Sequence, residues 1–303
     1  MTSSEDNATA STFGKTPALS DSDHHDDALA AFARALEIEP GQAQIYVRRA
    51  AVSQNKGEMR HALADCDAAI GLDPGHAAYY RMRGNLRNTH GDLDGAIADF
   101  GAAIALDPAF AAAYVDRGIA RFLTSDVAGA LADYDVAARL DPRLSNLHHM
   151  RALARRAAGD LVGAHDDLSA ALRVDGETAE IYNDRGRVNM EAGDFAGACA
   201  DYEAAARLRP DWSQPHSNRG WALILAGELD QAIWAFSRAL ALEPGDALAL
   251  YGRRAVAAQR SAAANGRTDV GAMLINDPDI ARMIAASGVS PIADLAEVTS
   301  LEP

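Results

Sequence analysis

The sequence has few of the residues on which several common protein classes depend. Its two cysteines, Cys66 and Cys199, lie more than a hundred residues apart, so we expect buried free thiols rather than a disulfide. Aromatic residues make up only 6% of the chain. No apolar run approaches the roughly 20 residues of a membrane-spanning helix. These shortages argue against a disulfide scaffold and a membrane-embedded protein.

Positive charge is also scarce. The chain has 28 lysines and arginines against 43 aspartates and glutamates, for a net charge of −15. A nucleic-acid backbone or an anionic membrane must be met by clustered cations, so we expect neither as the partner. Residues 1–27 lack the basic start and apolar centre of a secretory signal, which predicts a cytoplasmic protein.

Motifs for catalysis and cofactor binding are missing as well. The sequence contains no Gly-rich phosphate loop, no metal-type spacing of Cys and His, and no nucleophile elbow. The nearest acid–base cluster, at residues 165–167, consists of neighbours that would point in different directions around a helix. We therefore predict no catalytic residue, no metal and no cofactor, and an enzyme with an unrecognised site is the most remote hypothesis.

The chain contains instead a repeat with a period of 34 residues. It is marked by Pro40, Pro74, Pro108, Pro142, Pro210 and Pro244, with Gly176 in the one vacant position. Alanines stand twelve and five residues before each mark, with a larger side chain, usually apolar, between them. This spacing predicts a helix with one apolar stripe, which the proline ends.

The first half of each repeat has a pattern of its own. Tyr or His is followed three residues later by Arg and then by Gly or Ala, as in Tyr114, Arg117 and Gly118. A bulky and a small residue four apart lie on one face of a helix, where a second helix can pack closely. Gly followed by Asp or Glu then predicts the end of this helix and the start of the next.

A helix, a tight turn, a second helix and a proline at this period resemble the tetratricopeptide repeat, over roughly residues 26–262. The resemblance implies an all-α, right-handed superhelical solenoid of antiparallel helix pairs. We expect these parts in order: a disordered acidic segment (1–22), a half repeat (23–42), six full repeats (43–246), a capping helix (247–264) and a partly helical tail (265–303).

The arginine before the small residue has an aspartate sixteen residues later in five copies. These aspartates are Asp65, Asp99, Asp133, Asp167 and Asp201, whereas Arg219 has Ala235 at that position. A residue that recurs in every unit usually serves the unit itself. We therefore predict that each pair joins the two helices of its repeat, in preference to a ladder of anion sites. We expect Arg253 to occupy the same position in the capping helix.

Specificity is expected where the copies differ. The resemblance implies that one face of each first helix lines a concave groove that holds a peptide or a helix. On that face we predict the following binding residues: Arg48, Arg81, Asn85, Asn88, Phe122, Asn183, Arg187, Trp221 and Ile224. Trp221 is the strongest of these predictions, because an outward-facing indole needs a reason. The alternative is that they are ordinary solvated helix positions.

Two functional hypotheses follow from this face. The first is a non-catalytic scaffold or adaptor that binds a protein or peptide segment of a partner. Arg81 and Asn85 resemble the start of the clamp with which some family members hold the C-terminal carboxylates of chaperones, but Asp116 in the next copy would repel a carboxylate. The second hypothesis is self-regulation or self-association, in which residues 267–303 occupy a groove. The sequence does not identify the partner.

Overall fold

The computed structural model describes residues 21–264, which form fourteen α-helices and no strand. The helices are α1 Asp21–Ile38, α2 Ala43–Asn55, α3 Met59–Leu72, α4 Ala77–Thr89, α5 Leu93–Leu106, α6 Ala111–Leu123, α7 Val127–Leu140, α8 Leu147–Ala157, α9 Leu161–Val174, α10 Ala179–Glu191, α11 Phe195–Leu208, α12 Ser213–Leu225, α13 Leu229–Leu242 and α14 Ala247–Ala264. The expected all-α repeat fold is confirmed. None of these helices is long and apolar enough to cross a membrane.

The helices pack as hairpins in two compact units. One unit ends at Pro108 and contains α1–α5, and the other begins at Ala109 and contains α6–α14. Each even-numbered helix from α2 to α12 packs mainly against the odd-numbered helix that follows it. Residues 1–20 and 265–303, which include most of the predicted disordered segment and the whole predicted tail, lie outside the described residues. The role suggested for the tail therefore stays a prediction.

One first helix begins later than the repeat predicts. A helix start at Ser145 would keep the phase of the other copies, but α8 begins at Leu147. Asn146 adopts a left-handed conformation with φ of 62°, which asparagine tolerates better than most residues. Its backbone N–H donates to the carboxylate of Asp175, and a ring nitrogen of His148 lies 2.8 Å from the carbonyl of Pro142. These local bonds hold the turn in place of the first residues of the helix.

Small residues on the first helix of each hairpin are matched to rings on the second. A Cβ atom added to Gly118 would lie 2.6 Å from a ring carbon of Tyr134, and one added to Gly84 would lie 2.6 Å from Phe100. Gly186 meets Tyr202, and Gly220 meets Phe236, in the same way. Where the second helix carries the smaller Cys66 or Leu168, the first helix has alanine, at Ala50 and Ala152, in the same core cluster. Close packing therefore explains this paired choice of residues.

The acidic residue at the start of the second helix caps it in four hairpins. The carboxylates of Asp92, Asp126, Asp160 and Asp194 each accept a hydrogen bond from the backbone N–H of a glycine three residues later. The predicted role of these residues in opening the helix is confirmed.

In the capping helix α14, the arginine that stacks on a tyrosine stands one residue after the repeat position. Arg254, and not Arg253, lies over a tyrosine, with its guanidinium carbon 5.7 Å from the ring centre of Tyr251. The earlier copies have the same stack, as in Arg185 over Tyr182 at 5.4 Å. The offset arises because Tyr251 comes seven residues after Pro244, whereas Tyr182 comes six residues after Gly176. The role expected for Arg253 stays a prediction.

Candidate functional site

The recurrent arginine and aspartate form a bidentate ion pair between the two helices of a hairpin. In the α6–α7 hairpin, Arg117 donates from Nε and Nη2 to the two carboxylate oxygens of Asp133, at 2.9 and 2.7 Å. These hydrogen bonds raise the pKa of Arg117, although burial acts in the opposite direction. The same geometry occurs in Arg49–Asp65, Arg83–Asp99, Arg151–Asp167 and Arg185–Asp201. The predicted pairing within the hairpin is confirmed.

A second arginine on the same carboxylate was missed by the sequence reasoning. Arg87 and Arg121 each place Nη1 at 2.8 Å from the aspartate of their own hairpin, and Arg155 does so at 2.9 Å. The signal was visible, because these residues stand four positions after the first arginine, one helical turn away. In three hairpins, therefore, one buried carboxylate binds two guanidinium groups. Both of these arginines make their hydrogen bonds within the fold.

Arg219, whose expected aspartate is replaced by Ala235, pairs with the preceding hairpin instead. Its Nη2 lies 3.3 Å from a carboxylate oxygen of Glu203. Arg151 makes the same kind of contact in addition to its own pair, since Nη1 donates to Asp135 at 3.0 Å. The recurrent arginine thus connects neighbouring hairpins as well as the two helices of one hairpin.

In the first unit, the predicted binding residues lie on α2 and α4. Arg48 is exposed on α2, whereas Arg81, Asn85 and Asn88 are partly exposed on α4. The spacing of the three α4 residues places them on one helical face. The side-chain oxygen of Asn88 is buried and accepts no hydrogen bond from the described residues. This face of α4 therefore carries one guanidinium and two amide groups, and one amide oxygen accepts no hydrogen bond from the described residues.

In the second unit, Asn183 and Arg187 lie on α10 in a polar neighbourhood. Asn183 is only 4% exposed, and its side-chain oxygen accepts a hydrogen bond from Asn218 on α12 at 3.1 Å. Burial, assisted by the positive charge of Arg156, lowers the pKa of Arg187. Asp184 lies 3.6 Å from Arg187 and contacts His149 on α8 at 2.8 Å. Polar contacts thus link α8, α10 and α12 on this face.

Phe122 is partly buried on α6 and packs against the core cluster that contains Val115, Tyr134 and Leu147. Part of the ring is therefore used in the core of its own unit. Its predicted role in binding stays a prediction, as do the roles of the other residues on these faces.

The expectation that Trp221 faces outward is wrong. Trp221 is 8% exposed, its indole N–H donates to the carbonyl of Leu248 at 3.3 Å, and its ring meets that of Phe236 edge-on at 6.0 Å. Ile224, at 7% exposed, lies in the same core cluster. The reason is the capping helix, because α14 packs on α12 and contributes Leu248 to the site. An indole with its N–H satisfied and its rings packed belongs to the core.

These stacked hairpins, with a ring against a small residue and an arginine–aspartate pair in most of them, define an all-α helical-repeat protein. The model of the tetratricopeptide repeat family matches residues 81–144 and 149–213. Together with the fold, these matches support a tetratricopeptide repeat protein. It has no significant match among curated proteins.

Solved structures of other proteins share the fold. YrrB, described as a tetratricopeptide repeat protein with an unusual peptide-binding site, has a TM-score of 0.57 at 20% identity, over 62% of this chain and 97% of YrrB. PilF of Pseudomonas aeruginosa has a TM-score of 0.60 at 14% identity, over 76% of this chain and 99% of PilF. MamA has a TM-score of 0.53 at 23% identity, over 56% of this chain and 93% of MamA. At these identities the likeness concerns the fold.

Proposed function

We propose that this protein is a non-catalytic scaffold that binds an extended or helical segment of a partner protein on the first-helix faces of its hairpins. The tetratricopeptide repeat fold supports a role in protein interaction, and YrrB shows that a protein of this fold can carry a peptide-binding site. The net charge of −15 favours a protein partner over nucleic acid or an anionic membrane.

The observation that carries the proposal is the face of α4. Arg81, Asn85 and Asn88 are only partly buried, and the side-chain oxygen of Asn88 is buried without a hydrogen-bond partner among the described residues. A buried acceptor without a partner costs stability, and a donor supplied by an ordered water or by a ligand would remove that cost. The backbone N–H of an extended peptide is a donor of the right kind.

The side chains of this face suggest the chemistry of the segment. Amide groups such as those of Asn85 and Asn88 donate and accept, and can therefore pair with both groups of a peptide bond. Arg48 and Arg81 would favour an acidic side chain or a terminal carboxylate. We therefore propose an extended, acidic peptide as the ligand of the first unit.

The second unit offers a different surface. Trp221 and Ile224 are part of the core, so they cannot serve as anchors in this arrangement. The charged residues of this surface include Arg187 on α10, which lies near Asp184, and Arg156 on α8, which lies near Glu191. We propose that this unit contacts the partner through charged groups, and that apolar anchoring is confined to Phe122.

A selection from a random peptide library against the full-length protein tests the proposal and requires no candidate partner. Affinities of the selected peptides would be compared for the wild type, Asn88→Ala and Arg81→Ala. Arg34→Ala provides the control, because Arg34 is exposed on α1. Each face variant should weaken binding about ten-fold, which corresponds to the loss of one hydrogen bond to a buried or charged group.

The control variant should bind as the wild type does. Selected peptides that bind all four proteins equally would refute the assignment of this face. A selection that yields no peptide enriched in acidic residues would refute the proposed chemistry of the ligand.

A further inference from the structure

The hairpin α2–α3 contains a cavity of about 370 Å³ beside its arginine–aspartate pair. It is lined by Leu29, Arg49, Ser53, Glu58, His61, Ala64 and Asp65. Ser53 is 2% exposed and Asp65 is 5% exposed, whereas His61 and Ala64 are exposed. The cavity therefore leads from the protein surface to a buried carboxylate.

The same place is filled by an arginine in three other hairpins. Arg87 stands 34 residues after Ser53, and its Nη1 donates to Asp99 at 2.8 Å and to the carbonyl of Gly95 at 3.4 Å. Arg121 and Arg155 do the same in the next two hairpins. Serine is too short to reach these acceptors, so α2–α3 lacks the second guanidinium group that its repeat unit is shaped to hold.

The acceptors for that group are present in α2–α3. Among the described residues, Asp65 accepts hydrogen bonds from Arg49 alone, at 2.8 and 2.6 Å, whereas Asp99 also accepts from Arg87. The backbone carbonyl of His61 occupies the repeat position of the Gly95 carbonyl. Asp65 thus has acceptor capacity that its counterpart uses for a second cation.

The charged groups around the cavity are also unbalanced, because negative groups outnumber positive ones. Glu58, at the repeat position of Asp92, contacts Lys56 at 2.6 Å and His61 at 3.2 Å. Lys56 is shared with Asp26 of α1, also at 2.6 Å. Apart from the imidazole of His61, the two cations Arg49 and Lys56 face three carboxylates, namely those of Asp26, Glu58 and Asp65. This group of described residues is therefore one positive charge short of balance.

We infer that the cavity binds the guanidinium group of an arginine side chain from a partner protein. A planar guanidinium can reach Asp65 and the His61 carbonyl at once, as Arg87 does in its own hairpin. The methylene groups of the incoming side chain would pack against Leu29 and Ala64. This site is on the α2–α3 hairpin and does not depend on the peptide-binding face of α4.

Calorimetric titration of the full-length protein with capped tripeptides tests the inference. Gly-Arg-Gly is the probe, and Gly-citrulline-Gly is its neutral analogue. Gly-Lys-Gly carries the same charge but lacks the planar, bidentate guanidinium group. We expect binding of the arginine peptide, and about ten-fold weaker binding of the other two, because charge-assisted bidentate bonds are lost. Free arginine should bind more weakly than the arginine peptide.

Ser53→Arg is the decisive variant, because it supplies from the chain itself the group found at Arg87. It should abolish binding of the arginine peptide and raise the temperature of thermal unfolding. Ser53→Leu is the matched control, since Leu223 occupies this repeat position in α12. It should block the peptide without supplying the missing charge, and should therefore unfold at a lower temperature than Ser53→Arg.

The reciprocal change, Arg87→Ser, should create a second site for the arginine peptide in α4–α5. Unaltered binding to Ser53→Arg, or equal binding of the citrulline peptide, would overturn the inference. Equal binding of the lysine peptide would reduce the site to a general cation site, and equal binding of free arginine would remove a partner protein as the occupant. Asn88→Ala, which tests the proposed binding face of α4, should not change the binding of the arginine peptide. The two proposals can therefore be refuted independently.

Discussion

Substitution of Gly118 by alanine is the sharpest test of how the hairpins pack. The added Cβ atom would lie 2.6 Å from one ring carbon of Tyr134 and 3.0 Å from two others, whereas carbon atoms in contact are normally about 3.5 Å or more apart. Tyr134 is fully buried, so its ring has little room to move. The ring or the helix must therefore shift by about 1 Å.

Two terms of opposite sign determine the change in stability. Overpacking of a well-packed core costs about 1–3 kcal/mol, and the confined ring argues for the upper part of that range. Alanine in place of glycine within a helix contributes about 1 kcal/mol in the favourable direction. We therefore expect Gly118→Ala to lower the free energy of unfolding by about 1–2 kcal/mol.

Gly71→Ala is the matched control. Gly71 lies in the last turn of α3, and a Cβ atom there would have nothing within 4 Å. Only the helix-propensity term applies, so this variant should be as stable as the wild type or more stable, by up to about 1 kcal/mol. Urea unfolding followed by circular dichroism measures both variants. Amide hydrogen exchange in α6 and α7 supplies the local value, because repeat arrays need not unfold in a single step.

A compensating substitution tests the mechanism itself. The α8–α9 hairpin combines Ala152 with Leu168, so Tyr134→Leu should relieve the crowding caused by Gly118→Ala. The double variant should be more stable than the sum of the single changes predicts, by about 1–2 kcal/mol. Additive effects, or a Gly118→Ala variant as stable as Gly71→Ala, would refute the packing argument.

Three further outcomes are expected. Asp133→Asn should destabilise the protein by about 3 kcal/mol in urea unfolding, because it removes the charge shared by Arg117 and Arg121; an effect below that of an exposed ion pair would contradict the structural role of the pair. Burial raises the pKa of the Cys66 thiol to about 12, so at about pH 8 a thiol reagent should modify this residue only after unfolding, and rapid reaction of the folded protein would contradict that burial. Trp221→Phe should speed amide exchange in α14, since it removes the hydrogen bond to Leu248, and unchanged exchange would show that this bond does not hold the helix.

The repeat frame could be predicted from the sequence because each of its features depends on local spacing. The period of 34 residues, the stripe of alanines and the proline stop describe one hairpin, and every copy supplies the same information again. The pairing of Arg117 with Asp133 was predictable for the same reason, since a constant separation of sixteen residues indicates a contact inside the unit. The late start of α8 at Leu147 could not be predicted in this way. It depends on the left-handed conformation of Asn146, which does not recur at the equivalent position of the other copies.

Trp221 shows why position within the repeat is insufficient at the ends of an array. Its equivalents Ala51, Asn85 and Arg187 are only partly buried, so the pattern placed the indole on an open face. The helix that follows the α12–α13 hairpin is the capping helix α14, whose Leu248 carbonyl receives the indole N–H. Burial at this position is therefore decided by a neighbouring element, and it can be derived only after that element has been placed.

The position of Ser53 shows how a repeat can differ in function without any change in fold. The six copies have Ser53, Arg87, Arg121, Arg155, Asn189 and Leu223 at this position. The arginines, and Asn189 at 2.9 Å from Asp201, satisfy the carboxylate from within the hairpin. Leu223 needs no such contact, because its hairpin has Ala235 in place of the aspartate. Among the described hairpins, only α2–α3 keeps the carboxylate without the second donor, and it is there that the cavity lies.

If the cavity were a mere packing defect, Ser53→Arg would stabilise the protein and change no binding property. Stabilisation together with loss of the arginine peptide is the outcome that distinguishes a binding site from a defect.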